Sequence, residues 1–92
     1  MIRYWFEFKE SDSIYSLGVQ LGCGVTAFNY NDAIKILEET IFVNQNLPTI
    51  ENYIENIDIR NLDQGNVIPN MWTPNFRGVW YPIGFQNYNS RY

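Results

Sequence analysis

The chain has no histidine and a single cysteine, Cys23, in 92 residues. Without histidine it lacks the commonest general base and the commonest metal ligand. Zinc needs clustered cysteine and histidine, so no metal site is expected. One cysteine also excludes an internal disulfide framework and favours a reducing compartment. Basic residues are scarce: six Lys and Arg face ten Asp and Glu, a net charge of −4. The six (Arg3, Lys9, Lys35, Arg60, Arg77, Arg91) are scattered. With a pI near 4.5, nucleic acid is not an expected partner, because phosphate binding draws on clustered Lys and Arg. No apolar run approaches membrane-spanning length. The opening "MIRYWFEFKE" alternates charged and apolar residues and has no small-residue cleavage site, so it does not read as a signal peptide. A cytoplasmic protein away from membranes is expected. "GVQLGCG" has close glycines but not the GxGxxG order of a dinucleotide loop. No cofactor is expected.

What the chain does have is apolar mass. Hydrophobic residues make up 46% and aromatics 17%, too much for a disordered chain. A domain this size buries roughly 65% of the surface its unfolded chain exposes. Residues 1–92 therefore read as one domain with one modest core, ending in a frayed polar tail at 86–92. The twelve asparagines are scattered rather than gathered in a tract, which argues against a prion-like segment.

Residues 2–9 alternate, with Tyr4, Phe6 and Phe8 on one face and Arg3, Trp5, Glu7 and Lys9 on the other. This is a half-buried strand. Residues 15–27 alternate as well, from Tyr15 and Leu17 to Val25 and Ala27. That is long for one strand, so a bend near Gly22 or Gly24 is expected. The two should pair as an antiparallel hairpin. Asn29 or Asn31 caps a helix over 31–43. Ile50, Tyr53, Ile54 and Ile57 recur at i, i+3, i+4 and i+7, which predicts a second helix over 49–56. Pro69 and Pro74 make 69–77 an irregular loop, and 77–82 reads as a last strand. The expected class is α+β: a small antiparallel sheet, formed by the N-terminal hairpin and the C-terminal strand, with two helices on one face.

Catalytic signals are weak. Cys23 has no histidine partner and sits on an apolar face, so it reads as a small buried hydrophobe rather than a nucleophile. Glu38 with Glu39, and Glu51 with Glu55, are carboxylate pairs. A solvated helix face explains them more simply than acid–base chemistry, and such a face could also dock a basic partner. An enzyme is not expected. Gly18, Gly22 and Gly24, with Gln20 and Thr26 between them, offer a shallow floor for a ligand. The alternative is that Trp5 or Trp80 lies over the glycines. The loop residues Trp72, Phe76 and Arg77, with Trp80, are candidate interface anchors; equally, the rings could cap the core.

Leu62-Asp63, Ile68-Pro69-Asn70-Met71 and Arg77-Gly78-Val79-Trp80-Tyr81-Pro82, with "GCGVTAF" at 22–28, resemble a set of short bacterial proteins of unassigned function. The resemblance covers about the last third of the chain and brings no catalytic residue with it. By analogy with other small acidic domains, it implies an immunity protein or an inhibitor of a bacterial effector. The leading expectation is a non-enzymatic module binding a protein partner, a basic one if Glu38, Glu39, Glu51 and Glu55 steer it. The alternatives are a small-molecule binder using the glycine face and a homodimeric accessory subunit joined through a sheet edge.

Overall fold

Tyr4, Phe6 and Phe8 need cover on one side of the first strand, and Trp5 needs it on the other. A sheet buried on both faces follows. The computed structural model describes residues 1–85; the tail expected to fray, 86–92, lies outside them. Strand β1 is Ile2–Phe8, helix α1 Asp12–Ser16, β2 Cys23–Ala27, α2 Tyr30–Glu39, β3 Ile50–Glu55 and β4 Gly78–Tyr81. The strands form one antiparallel sheet in the order β3-β1-β2-β4. The protein is thus a small α+β fold, the class the residue patterns implied, although of its two helices only α2 lies where they placed one.

Both helices serve one side. Ile14 of α1 and Ala33, Ile36 and Leu37 of α2 join Tyr4, Phe6, Phe8, Val25 and Val79 in the larger core. Asn29 caps α2: its Oδ1 accepts the Asp32 N–H at 2.9 Å, which satisfies an otherwise orphaned donor. The helix ends at Thr40, whose hydroxyl donates to the Ile36 carbonyl at 2.6 Å. It is therefore shorter than the 31–43 expected, although Ile41 and Phe42 stay buried beyond it.

Two expectations need correction. The strand expected over 15–27 keeps only its last five residues. Its first part is α1, followed by a turn in which Val19 N–H donates to Ile14 O at 3.0 Å and Gly22 N–H to Val19 O at 2.9 Å. Gly18 (φ 73°) and Gly22 (φ 126°) take positive φ, a region favouring glycine and incompatible with an extended run. Residues 49–56 are not a helix but β3. Ile54 lies beside Trp5 and Tyr53 beside Phe6, so they face opposite sides. A register shift between Glu7 and Phe8 then sets Ile50 beside Phe8. A strand with apolar residues on both faces loses its alternation and imitates helical spacing.

The second face carries its own core: Trp5, Ile57, Leu62, Val67, Trp80 and Tyr81. A register shift between Gly24 and Val25 leaves Trp80 as the extra residue of β4 and sets Trp80 and Tyr81 in this same cluster. No helix covers it. The chain from 57 to 72 does, through short 3-10 turns at Ile59–Asn61 and Ile68–Asn70. Trp72 N–H donates to Trp80 O at 2.7 Å, Ile83 N–H to Asn70 O at 3.1 Å, and the Thr26 hydroxyl to Pro74 O at 2.7 Å. Trp80 is fully buried and lies flat against Gly24, where a Cβ would collide with its six-membered ring. Gly24→Ala should therefore cost about 2–3 kcal/mol, the usual scale of overpacking. Urea unfolding checks this, and an unchanged midpoint would refute the contact.

Candidate functional site

Gly24 of β2, and Gly22 just before the strand, carry no side chain on the second face, and two tryptophans take up the space. The Trp80 ring fills the position over Gly24, and the Trp5 ring lies 2.7 Å from where a Gly22 Cβ would stand. The floor expected at Gly18, Gly22 and Gly24 is thus covered at Gly22 and Gly24, and Gly18, which has open space beside it, does not belong to it. Gly18 lies in the turn before β2, Gln20 is exposed there, and Thr26 is 3% exposed and bonded to Pro74.

The open concavity is next to it. Trp5 spans from its glycine neighbour toward Ile54, and the chain after β3 rises as a wall beside them. Together they bound a cleft of about 460 Å³. Trp5, Leu21, Ile54, Ile57, Leu62 and Val67 supply its apolar lining, and Glu7, Asn56, Asp58, Asn61 and Asp63 its polar lining. Leu21 and Ile54 are each 39% exposed, so the apolar lining meets solvent at these two side chains.

The polar lining is held in place. Glu7 accepts from the Trp5 indole N–H at 3.3 Å and from the Asn52 amide at 3.3 Å. The Arg60 guanidinium and its backbone N–H hold the Asp58 carboxyl down at about 2, with the side-chain bonds at 3.1 and 2.8 Å. Asp63 accepts the backbone N–H groups of Asn66 and Gly65 and the Asn66 side chain, which keep its carboxyl below the usual range. Asp58 and Asp63 are therefore anions at neutral pH. Among the described residues Arg60 is the basic group in direct contact with Asp58. The cleft presents an apolar lining beside an acidic wall.

The residues expected from sequence are divided among several surfaces. Glu51 and Glu55 are exposed, on edge strand β3 rather than a helix. Glu38 and Glu39 are exposed on α2, and Glu39 lies 3.9 Å from Lys35. Trp80 is wholly buried, with its indole nitrogen lacking a hydrogen-bond partner among the described residues, and so cannot anchor a partner directly. Trp72 is half-buried and stacks on exposed Phe76 at 5.6 Å; one ring lies mostly in and the other mostly out. Arg77 makes a bidentate pair with Asp32, at 2.6 and 3.0 Å, and lies 5.5 Å over the Phe28 ring. Cys23 is buried, and burial pushes its thiol up. Among the described residues no group of three metal-ligating side chains forms, and no helix is long and apolar enough to cross a membrane.

Leu21, Ile54 and Asp58 were missed as site residues. Their signal was present: Trp5 stands on the charged face of β1, and a large ring there needs a second layer. No family model matches the chain, and neither does any curated protein or solved structure.

Asp32 ties the helix end of the molecule together. It accepts from Arg77 and from the Phe28 N–H, and Arg77 holds its carboxyl below the ordinary value. In the folded state it binds a proton less readily than in the unfolded state, whose value is about 3.9. Its stabilisation is thus full above that value and is lost as pH falls through the folded one. Asp32→Asn should cost about 2 kcal/mol at pH 7 and flatten the decline in stability below pH 4. Urea midpoints across pH 3–7 check both parts.

Proposed function

We propose that this protein is a non-enzymatic binding module that takes a basic protein partner at the cleft beside β3, and that its task is to neutralise that partner, in the manner of an inhibitor or immunity protein. The observation that carries the reading is the cleft itself: solvent-open apolar side chains beside Asp58 and Asp63, next to a sheet edge bearing Glu51 and Glu55. Apolar anchors within a charged rim are the usual make-up of a protein interface. The net charge of −4 would speed encounter with a basic surface, more so at low salt. The buried free thiol of Cys23 fits a reducing, cytoplasmic setting.

A small-molecule reading is favoured by one feature, since about 460 Å³ falls within the range of ligand pockets. It would use this cleft and not the glycine face. A ligand bound there would contact Trp5 and change its fluorescence without any protein partner.

Affinity capture from the native host, run with wild-type protein and with Ile54→Asp, tests the reading. Ile54 is exposed, so the variant should fold. A stoichiometric basic protein retained by the wild type and released by the variant or by added salt is the expected result. Equal retention by both would move the site elsewhere, and retention by neither would end the protein-partner reading.

A further inference from the structure

The cleft adjoins an unfilled sheet edge. β3 is the outermost strand on its side, and Glu51–Glu55 are all exposed. Its regular part, Asn52 to Glu55, pairs inward with Glu7 to Tyr4. The opposite edge of this strand has no neighbour among the described residues. We propose, resting on the binding reading above, that β3 accepts an extended basic segment of the partner as a fifth, antiparallel strand, and that one apolar side chain of that segment enters the cleft beside Ile54.

Register and charge define the segment. Residues directly opposite in an antiparallel pair share a face. The residue opposite Ile54 therefore falls on the Trp5 side, at the cleft, and should be apolar. The one before it in the incoming chain falls opposite Glu55, on the other face, and should be Lys or Arg. The next lies opposite Tyr53, whose ring packs 4.8 Å from Tyr30, and suits an aliphatic side chain. The one after that falls opposite Asn52, whose amide touches Glu7, and again suits a base. The pattern is basic, apolar, aliphatic, basic. Main-chain bonds supply affinity in such strand addition, and alternate side chains supply selectivity.

The same charges oppose a second copy of this chain as the occupant. A two-fold pairing of β3 centred on Tyr53 would set Glu51 opposite Glu55 of the second copy, twice over. Like charges facing each other across strands destabilise the pair, and charged edges are a common guard against self-association. Glu55 thus both repels a copy and selects a basic strand.

Two short capped peptides test this, one centred on Lys-Leu-Val-Lys and one on Glu-Leu-Val-Glu, each titrated into the full-length protein and followed by nitrogen-15 NMR. The Lys peptide should shift the amides of residues 50–56 and the Trp5 indole, and bind at least about ten-fold more tightly than the Glu peptide. Glu55→Lys, at an exposed site, should narrow that difference. Equal binding of both peptides, no binding of either, or shifts centred on Phe28 and Phe76 would overturn the inference. Concentration-dependent shifts of β3 without peptide would also overturn it, by making a second copy the occupant. If the Lys peptide fails while Ile54→Asp still releases a captured partner, strand addition falls and the binding reading stands.

Discussion

A tryptophan lying on a glycine organises this molecule. Gly24 has no side chain, so Trp80 can press flat on the strand, and Gly22, just before it, leaves room for the Phe6 carbonyl and the Trp5 ring. The two rings pack against each other, 6.0 Å apart. A buried tryptophan carries a large apolar surface, and truncating one to alanine costs roughly 3–5 kcal/mol. Two of them on one face demand a covering layer. The chain from 57 to 72 supplies it through short 3-10 turns, and the Trp72–Trp80 bond, with the Thr26–Pro74 bond just beyond it, holds this layer to the sheet. The cleft lies where that cover is incomplete, between Trp5 and the wall at 57–67.

The two faces answer to different constraints. The helix side is a conventional core, with α2 fixed at its start by Asn29 and Asp32 and linked to the lead-in of β4 by Arg77. Tyr15, Phe28 and Val43 remain exposed around its helices, and Tyr53 on its side of β3. The loop side combines buried rings with carboxylates that turn geometry and Arg60 keep ionised. Backbone N–H groups around Asp63 fix its orientation, so the acidic wall is part of the loop's own folding. Binding chemistry would thus grow directly out of the segment that completes the sheet, with β3 as its open margin.

Much of this was legible in the residues. Alternation identified β1, the asparagine cap located α2, and the Gly-Val-Trp-Tyr run marked β4. The glycines of β2 warned of tryptophans lying over them. Three things were hidden. Alternation through 15–22 was coincidental, because Gly18 and Gly22 adopt positive φ and the backbone turns there. β3 looked helical because its apolar residues serve both faces. Trp5 on the charged face of β1 signalled a second layer, but the lining of the cleft could not be read, since it brings together β1, β3, the turn at Leu21 and the loop at 57–67, and no local pattern records that meeting. The exposed acids were easy to list, but their grouping was not: Glu51 and Glu55 moved from a helix to a strand edge.

The measurement that bears most directly on this account is the chemical shift of the Gly24 α-protons. If the Trp80 ring lies over Gly24, its ring current will place them well upfield of ordinary glycine values, and Trp80→Leu will return them to that range. Gly24 α-protons at ordinary values in the wild-type protein would contradict the packing that creates the second face, and with it the cleft.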